Sequence, residues 1–503
     1  MNIQQDLFLF LFENILKIYM HSEKLLIFPN QLFEKKYLPN KVRSIIILED
    51  PAYFGFREQK LNFNKLKLVL HRATMKYYEK YLLNAGYSVE YIEFKELKDN
   101  RYAPLSSQLE LTMFEINDHL VSSRVNHVLR NKKIKVISNP NFVVTYDKLQ
   151  EYYKSTNAKM NHSGFYEYIK GEINVLKGEK TYDTENRNKI PSGTNIPELP
   201  KIKHDVFIEE AKRYVDSHFP KNYGNVSEFI YPITHDDSKK WFSNFLQKRF
   251  QHFGEFQDAI VQNQPFLFHS VISPMMNCGL LCPDYIVSET TKYFKKHKNN
   301  IEMRNYEGFI RQIIGWREYQ RYCYLFAYDK MTKTNIFKHK RRLTSKWYTG
   351  NTGVLPVDNA IKEAFKYGYL HHIQRLMVMS NFMNLCQIHP DDCYKWFMEF
   401  AVDSYDWVMI QNVYSMGQWA DGGLTMRKPY ISSDNYIVNM SDYKRNGWSE
   451  EWKSLYYHFL TQHRDIVVKT PYGRNLVHWD KMDSEKQKQH TKRAMAVIRK
   501  LTA

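Results

Sequence analysis

Two short, uninterrupted apolar runs near the start of the chain constrain its fold most: residues 24–29 (Lys-Leu-Leu-Ile-Phe-Pro) and 44–48 (Ser-Ile-Ile-Ile-Leu). Runs of this kind are typical of strands that are buried on both faces of a parallel sheet. An amphipathic helical pattern follows at 62–84, with further strand candidates at 87–94 and 133–138. This alternation of strands and helices predicts an α/β N-terminal domain with a parallel, Rossmann-like sheet. The helix is expected to bury Leu66, Leu68, Leu70, Met75, Tyr78 and Leu82.

The rest of the chain has a different pattern. From residue 206 onward almost every segment shows the helical period, whereas residues 151–205 are polar and rich in turn residues. The apolar start of the chain has neither a basic n-region nor a small-residue cleavage site, so we expect an extension and not a targeting signal, with Met20 as a candidate start. The expected organisation is an amphipathic N-terminal extension (1–22), an α/β domain (23–150), an interdomain loop (151–205) and an all-α domain (206–503).

The charge and cysteine content limit the classes of partner and site. The formal net charge is +18, from 72 Lys and Arg residues against 54 Asp and Glu residues. Such a surplus favours a polyanionic partner, most often a nucleic acid, although a lysine-rich proteome would produce it as well. No apolar run is long enough to predict a membrane span. The five cysteines form no C-x-x-C pair, so we expect no metal site and a reducing compartment.

Polar residues follow the first two predicted strands. Asn30 and Gln31 come after the first strand, and Glu49 and Asp50 come after the second. Because ligands of open α/β sheets bind at the carboxyl ends of the strands, these residues are candidates for a pocket. The chain has no G-x-G-x-x-G loop, so the pocket is not expected to hold a dinucleotide.

The stretch from Gly368 to Met440 has the densest polar chemistry. His371, His372 and Arg375 interrupt an apolar helical face, and Asp403 and Asp406 follow three residues apart. Burying such a cluster without partners costs several kcal/mol. The cluster is therefore either a structural network or a functional site, and the residues alone leave both interpretations open.

Two further features could carry chemistry. Ser270 and Ser273 precede a helix, where hydroxyl and N–H groups suit an anion such as a phosphate, although a serine at this place is usually only a cap. The helical stretch 307–319 carries an arginine and a tryptophan along its course. Trp347, Trp396 and Trp407 are core residues by default, but tryptophans in a redox protein can relay electrons.

Together these motifs resemble the photolyase/cryptochrome superfamily, and more narrowly its bacterial branch of (6-4) photolyases and iron–sulfur cryptochromes. The resemblance covers the chain from about residue 23 and includes five motifs: Phe-Pro-Asn-Gln-Leu, the connector Gly178-Glu-Lys-Thr-Tyr-Asp183-Thr-Glu-Asn-Arg187, Trp-Arg-Glu-Tyr, Gly-Tyr-Leu-His-His-Ile-Gln-Arg and Ala-Asp-Gly-Gly…Lys-Pro-Tyr-Ile-Ser-Ser. It implies an α/β antenna domain, a long interdomain loop and an all-α domain that binds FAD. The reaction it implies is light-driven electron transfer from reduced FAD to a damaged pyrimidine pair flipped into a cavity.

The resemblance also assigns roles to single residues. It gives FAD-binding roles to Ser270, Ile272, Ser273, Gln312, Arg317, Arg375, Asp403, Asp406, Met409 and Asn412. It places at the lesion cavity the two histidines His371 and His372, one as proton donor, together with Tyr430 and the connector carboxylate Asp183. Its electron-relay tryptophans match Trp396 and Trp347, and its antenna pocket, which in this branch holds a ribityllumazine, matches Asn30 and Glu49.

The chain departs from this family pattern in two places. Relatives carry four cysteines that bind an iron–sulfur cluster, and the matching positions here fall near Leu355, at Lys444 and Gly447, and near Glu450. Since such clusters need thiolate ligands, we expect no cluster, and we expect the segment 441–452 to pack around its tryptophans instead. The second departure is Met409, where relatives commonly place a glutamate near the flavin.

Three functions are compatible with the sequence. The first is a (6-4) DNA photolyase without a cluster, acting on UV-damaged DNA, because the paired histidines and Tyr430 are retained; a cyclobutane-dimer specificity stays open. The second is a cryptochrome-type blue-light receptor that signals through a protein partner, which Met409 and the altered 441–452 segment favour. The third is a non-catalytic nucleic-acid-binding protein, which explains the charge but not the His-Arg-Asp cluster. We expect a monomer in the cytoplasm, or wherever the genomic DNA is.

Overall fold

The computed structural model describes residues 23–100, 102, 105 and 110–503. The extension predicted over 1–22 lies outside these residues. Five strands form the sheet of the N-terminal domain: β1 Lys24–Ile27, β2 Ser44–Leu48, β3 Ser88–Ile92, β4 Glu110–Phe114 and β5 Lys133–Ile137. All strand pairs are parallel, in the order β3-β2-β1-β4-β5. The predicted α/β domain with a parallel sheet is therefore confirmed.

Strand β4 is the one strand of this sheet that the sequence does not predict. Leu111 and Met113 are as common in helices as in strands, and Thr112 is its only β-branched residue. In the sheet, Leu111 and Met113 are nevertheless buried, and Met113 pairs with Leu26 of the central strand β1. Tertiary packing thus overrides a weak local preference.

The strand order places a topological switch point between β1 and β4. Strands β2 and β3 lie on one side of β1, and β4 and β5 lie on the other. Asn30 and Asn117 follow the two inner strands, each four residues beyond the paired residues Leu26 and Met113. Ligands of open α/β sheets bind in the crevice at such a point, so this edge of the sheet is a candidate site.

The first long helix packs on this sheet as predicted. It spans Lys65–Asn84 and begins at Asn64, whose side-chain oxygen accepts the Leu66 N–H at 2.9 Å. All six residues expected to face inward are buried. In the described ranges before residue 160, further α-helices span Phe94–Asn100, His119–Val128 and Tyr146–Ser155.

The connector is not wholly irregular. The predicted boundary at residue 150 falls within helix Tyr146–Ser155, and a second helix, His162–Ile173, lies inside the predicted interdomain loop. Phe165 and Ile169, which lie four residues apart, are buried by this helix, so its short apolar stripe was the available signal. The rest of the connector has one 3-10 turn, Asp183–Glu185, and otherwise irregular backbone up to residue 205.

The remainder of the chain is helical, as predicted. The α-helices are Val206–His218, His235–Lys248, Phe250–Phe253, Ser273–Cys278, Pro283–Lys296, Met303–Ile310, Arg317–Thr332, Lys346–Thr349, Leu355–Tyr367, Asn381–Leu385, Pro390–Phe400, Asp406–Ile410, Asp434–Met440, Gly447–Gln462, Arg464–Val467, Gly473–Asp480 and Ser484–Leu501. Three π-helical segments interrupt this series: Arg311–Trp316, Gln374–Ser380 and Gln411–Gly417. In the part of the chain that the structure describes, no helix is both long and apolar enough to cross a membrane.

Buried polar contacts join the two domains over one continuous apolar core. The Arg321 guanidinium of the helical domain donates to both Glu115 carboxylate oxygens at 2.7 and 2.8 Å. In the opposite direction, the Lys67 ammonium of the sheet domain donates to the Ser404 carbonyl at 2.5 Å, and burial lowers the pKa of Lys67 to about 7. Because these groups have no water to replace their partners, they fix the two domains against each other.

Acid is expected to destabilise the protein in part through His71, which also bridges the domains. Its Nδ1 donates to the Tyr53 carbonyl and its Nε2 accepts from the Tyr405 hydroxyl, both at 2.8 Å, so the ring is held neutral. Burial lowers its pKa from 6.5 to about 3. Between these two pH values the unfolded chain binds a proton that the folded chain does not, so the free energy of unfolding falls by about 1.4 kcal/mol per pH unit as the pH decreases.

Urea unfolding above and below pH 6.5 measures this dependence. His71→Gln retains one donor and one acceptor but cannot be protonated, so its stability should depend less steeply on pH than that of the wild type. Equal slopes for the two proteins would exclude His71 as a source of the acid sensitivity.

Candidate functional site

A cavity of about 270 Å³ lies in the helical domain, and all three π-helical segments contribute to its wall. The segment Arg311–Trp316 contributes Gln312 and Trp316, Gln374–Ser380 contributes Arg375 and Ser380, and Gln411–Gly417 contributes Asn412 and Met416. A π-helical turn contains one residue more than an α-helical turn, which redirects side chains, and such turns occur frequently at functional sites. The convergence of three of them marks this cavity as the candidate site.

Arg375 and Asp403 form an ion pair with two hydrogen bonds in the cavity wall. Arg375 donates from Nη1 to Asp403 Oδ1 at 2.9 Å and from Nη2 to Asp403 Oδ2 at 3.1 Å. Its Nε donates to the Leu370 carbonyl at 2.6 Å, and the Ser273 hydroxyl donates to Asp403 Oδ2 at 2.6 Å. The side chains are only 14% and 7% exposed, so their charges are compensated within the protein.

The loop before helix Ser273–Cys278 brings Ser270, Ile272 and Ser273 to the cavity. Val271 has a φ of 53°, in the left-handed region that valine seldom adopts. The Trp241 indole donates to the Ser270 carbonyl at 3.0 Å, and Asn277 donates to the Asp403 carbonyl at 2.8 Å. These contacts fix the loop with its polar groups toward the cavity.

Arg317 forms the side of the cavity nearest the sheet domain. Its guanidinium lies between two aromatic rings, 4.8 Å from the Phe142 centroid and 4.9 Å from the Trp407 centroid. It donates to the carbonyl and the side-chain oxygen of Asn141, which follows β5. Burial lowers the pKa of Arg317 to about 10, and among the described residues no carboxylate forms an ion pair with it. Arg317 therefore adds positive charge to the wall while it anchors the domain interface.

Three histidines gather at one end of the cavity. His372 lines the cavity, whereas His371 is only 2% exposed and stacks on His269, with ring centroids 4.7 Å apart and planes at 13°. Neither ring nitrogen of His371 has a hydrogen-bond partner among the described residues. Burial lowers the pKa of His371 well below its usual value, and the other two histidines and Arg375 lower it further. Burial and then Arg375 also lower the pKa of His372.

Asp183 and Tyr430 lie together outside this wall. Arg311 donates to Asp183 Oδ1 at 3.0 Å and Arg187 donates to Oδ2 at 2.7 Å. Burial raises the pKa of Tyr430, and the nearby Asp183 raises it further. The connector thus reaches the helical domain at the Tyr430 loop, beside the π-helical segment that carries Arg311.

The structure separates Asp406 from the other predicted FAD ligands. Its carboxylate accepts hydrogen bonds from Tyr324 and Tyr394 and lies 3.5 Å from the Arg57 guanidinium of the sheet domain. It is 4% exposed, and the cavity wall does not include it. Asp403 and Asp406 are close in sequence, but the turn between them directs the first to the cavity and the second to the domain interface. The other nine predicted FAD ligands all line the cavity.

The two predicted relay tryptophans are neighbours behind the cavity. The Trp396 indole donates to the Trp347 carbonyl at 2.8 Å, and both side chains are fully buried. Phe397, the residue after Trp396, lines the cavity, and the rings of Trp396 and Phe397 have centroids 5.2 Å apart. Trp396 is therefore one side-chain layer away from the cavity.

The two predicted antenna residues have different surroundings. The Glu49 carboxylate is engaged by the Arg72 guanidinium at 2.8 Å, the Tyr91 hydroxyl at 2.5 Å and the Phe94 N–H at 2.9 Å. By contrast, the Asn30 side-chain oxygen and both polar side-chain atoms of Asn117 are buried without a partner in the described part of the chain. The open hydrogen-bonding capacity at the switch point thus belongs to Asn30 and Asn117, and not to Glu49.

Several wall residues have no role in the sequence-based prediction: His269, Asn277, Trp316, Gln320, Tyr369 and Ser380. His269 and Asn277 lie within the stretch that contains Ser270 and Ser273, and Trp316 precedes Arg317, so proximity to a motif was their available signal. Ser380 and Gln320 have no such signal, because an isolated polar residue in a helix is usually solvent-exposed.

No cluster of three or more histidine, cysteine or acidic residues within the described ranges has the arrangement of a metal site. All five cysteines are buried and free. In the segment that departs from the family pattern, Trp448 and Trp452 are buried with ring centroids 6.2 Å apart, and Tyr443 lies 6.2 Å from Trp448. Aromatic packing around the two tryptophans agrees with the expectation for this segment.

Asp403→Asn is expected to destabilise the protein by about 3 kcal/mol, because it leaves the Arg375 charge largely buried without a counter-charge. Ser273→Ala removes only one hydrogen bond to the same carboxylate and should cost about 1 kcal/mol. Denaturant unfolding of both variants measures the difference. Equal losses would show that the ion pair contributes no more than an ordinary hydrogen bond.

Comparisons with known proteins agree with this architecture. Residues 25–231 match the family described as deoxyribodipyrimidine photo-lyase-related protein, and residues 302–452 match the FAD binding domain of DNA photolyase. A (6-4) photolyase from Agrobacterium fabrum (strain C58 / ATCC 33970) is 34% identical over 64% of this chain and 66% of its own, just under two thirds of its length.

Two solved structures share the fold. A cryptochrome from Synechocystis sp. PCC6803 aligns with a TM-score of 0.56 and 13% identity over 93% of both chains. A bacterial class III photolyase from Agrobacterium tumefaciens aligns with a TM-score of 0.54 and 14% identity over 95% of this chain and 98% of that one. These likenesses show the fold. The two family matches, over residues 25–231 and 302–452, show that the chain belongs to the photolyase/cryptochrome superfamily.

Proposed function

We propose that this protein binds FAD in the helical cavity and uses light to repair UV-damaged DNA, with the (6-4) photoproduct as substrate. The observation that carries the proposal is the juxtaposition, in one cavity, of the Arg375–Asp403 pair and the histidine cluster His269, His371 and His372. The 34% identity to a (6-4) photolyase supports the same reaction class.

The residues in the wall fit FAD. The loop Ser270–Ser273 offers hydroxyl and backbone N–H groups to the diphosphate, and Arg317 supplies a positive charge. Arg375 and Asp403 would border the isoalloxazine ring, with Gln312, Met409 and Asn412 completing the wall. When bound in its reduced form, FAD supplies an electron on absorption of light. Asp406 would act from a distance, through Arg57 and the two tyrosines that hold the domain interface.

The protein's own groups prepare the cavity for charge movement. Asp403 neutralises Arg375 and orients it by two hydrogen bonds, so no water has to reorganise there when charge shifts nearby. Met409 and its apolar neighbours Ile373 and Leu376 exclude water from the same wall. With Met409 in place of a titratable residue, the wall offers no proton at that position.

The histidines are the proposed proton-transfer groups. In the described structure His371 and His372 both have lowered pKa values, so both are neutral at pH 7. To donate a proton, one of them must first gain it, and a negative charge that develops on the bound lesion would raise the pKa of a nearby imidazole. His372 lines the cavity and is the donor in this proposal. His371 and His269, which stack on each other, belong to the same cluster.

The surface suits DNA. A net charge of +18 provides sequence-independent attraction to phosphates, and a damaged pair is easier to extrude than an intact one. Asp183 and Tyr430, which meet beside the Arg311 segment, would contact the extruded bases at the mouth of the cavity.

A blue-light receptor that signals through a protein partner is the second candidate. Met409 in the cavity wall and the aromatic packing of Tyr443, Trp448 and Trp452 favour it, because both distinguish this chain from repair enzymes of the branch it resembles.

His372→Ala is expected to reduce light-dependent repair of a synthetic (6-4) oligonucleotide by about a hundredfold, the usual contribution of a general acid. His478→Ala, at an exposed position away from the cavity, is the matched control and should repair like the wild type. The measurement is the yield of restored bases per flash with the flavin reduced beforehand. Repair by His372→Ala at the wild-type rate would remove this residue from the proton transfer, and a wild type that binds reduced flavin without repairing the lesion would favour the receptor.

Purified protein is expected to carry FAD and no iron–sulfur cluster. The flavin should be visible by absorption and released on denaturation, and a chelator should leave the free energy of unfolding unchanged. A ribityllumazine, if bound at Asn30 and Asn117, should be lost in Asn30→Leu while FAD is retained. Iron retained in stoichiometric amounts would overturn the first expectation.

A further inference from the structure

We propose that Tyr348 is the terminal electron donor of a relay through Trp396, and that Glu399 accepts the phenolic proton. The proposal rests on the proposed FAD site, because it concerns how oxidised flavin in that site is reduced by light. Trp396 and Trp347 are both fully buried, so a soluble reductant cannot reach an oxidised indole at either position. An aromatic group in contact with solvent has to complete the relay.

One chain of rings leads from Trp396 toward the surface. The Trp396 ring contacts Phe365 at a centroid distance of 6.1 Å, and Phe365 contacts Tyr348 at 6.0 Å. Tyr348 stacks on Tyr223, with centroids 5.0 Å apart and planes at 18°. Both tyrosines are partly exposed. Tyr348 also follows Trp347 directly, and the Trp347 carbonyl accepts the Trp396 indole N–H, so a short covalent and hydrogen-bonded path joins the two residues.

A second chain of rings leads inward and ends without an exit. The Trp347 ring contacts Phe382 at 5.8 Å, and Phe382 contacts Trp452 at 4.8 Å. Trp452 leads to Trp448 and Tyr443, which are 3% and 4% exposed. The Tyr443 hydroxyl accepts from the Asn359 amide, which cannot take up a proton. Among the described residues this branch therefore ends on buried rings, and the hydrogen bond to its last hydroxyl comes from an amide and not from a carboxylate.

Glu399 gives Tyr348 the base that tyrosine oxidation requires. A phenol that loses an electron becomes a strong acid, so the electron leaves readily only if a nearby group takes the proton. Glu399 Oε1 accepts the Asn62 N–H at 2.8 Å, whereas Oε2 is buried and has no hydrogen-bond partner among the described residues, so it is free to accept a proton. Burial raises the pKa of Tyr348, and the nearby Glu399 carboxylate raises it further. Burial also raises the pKa of Glu399, which makes its carboxylate a better proton acceptor than one in water.

In the proposed relay Trp396 would give one electron to photoexcited oxidised flavin in the cavity, and Tyr348 would return one electron to the oxidised indole. The phenolic proton passes to Glu399, which leaves a neutral tyrosyl radical and a neutral carboxylic acid. A soluble thiol then gives one electron to the radical at the surface, and Glu399 returns the proton. The net result is transfer of one electron from the thiol to the flavin.

The test follows photoreduction of oxidised flavin in the full-length protein with a thiol reductant, together with transient absorption of the tyrosyl radical. Tyr348→Phe keeps the ring but removes the acidic proton, so the radical signal should disappear and photoreduction should slow by about tenfold, the effect of a barrier raised by about 1.4 kcal/mol. Glu399→Gln should slow the same step and change its solvent deuterium isotope effect, which a purely structural role would not do. Trp452→Phe, on the inward branch, is the matched control and should behave like the wild type.

Repair assays with chemically reduced protein distinguish a failure of the relay from a failure of the proposed repair function. Chemically reduced Tyr348→Phe should repair DNA as well as chemically reduced wild type, because the relay is needed only to reduce the flavin. If neither protein repairs DNA but the radical forms in the wild type alone, the relay stands and the repair function fails. An unchanged radical signal and unchanged photoreduction in Tyr348→Phe would overturn the relay through this residue.

Discussion

The ion pair between Arg375 and Asp403 is the interaction on which the site depends. It joins parts of the chain that are far apart in sequence: the Arg375 segment, the turn before helix Asp406–Ile410 and, through Ser273 and Asn277, the loop that carries Ser270. A pair this deeply buried contributes little net stability, since desolvation offsets most of the attraction. Its value is geometric, because a displaced partner would leave a charge uncompensated and the three segments therefore have few alternative positions.

The same reasoning explains why the two domains form one unit. Arg321, Lys67 and His71 each place a polar group of one domain against a partner in the other, inside a continuous apolar core. Any relative movement would break several of these contacts without water to replace them. Arg317 belongs to this interface through Asn141 and also lines the cavity, so the sheet domain directly determines the shape of the site.

The sequence predicts the parts of this architecture that depend on local pattern. Continuous apolar runs indicate β1 and β2, the helical period indicates Lys65–Asn84, and the motif residues around Ser270 and Arg375 do meet in one cavity. Partners distant in sequence have no local signal. Asp406 is bound by Arg57 and two tyrosines, and Glu49 by Arg72, and only the fold brings these groups together. Likewise, the adjacency of His371 and His372 gives no indication that His269 stacks on the first of them.

The distribution of charge connects the surface to the cavity. Lysines and arginines give the chain its surplus of +18, whereas inside the cavity Asp403 neutralises Arg375 and the histidines are neutral. In the proposed reaction the uncharged bases of the damaged pyrimidine pair leave the duplex and enter the cavity, while the phosphates stay at the basic surface. Transfer of the bases then carries no cost of burying charge. A charge that develops on the bound lesion is, by contrast, poorly screened, so neighbouring imidazoles respond to it strongly. Histidines that are neutral in the free protein are thus compatible with a proton donor that becomes protonated only when the substrate is bound.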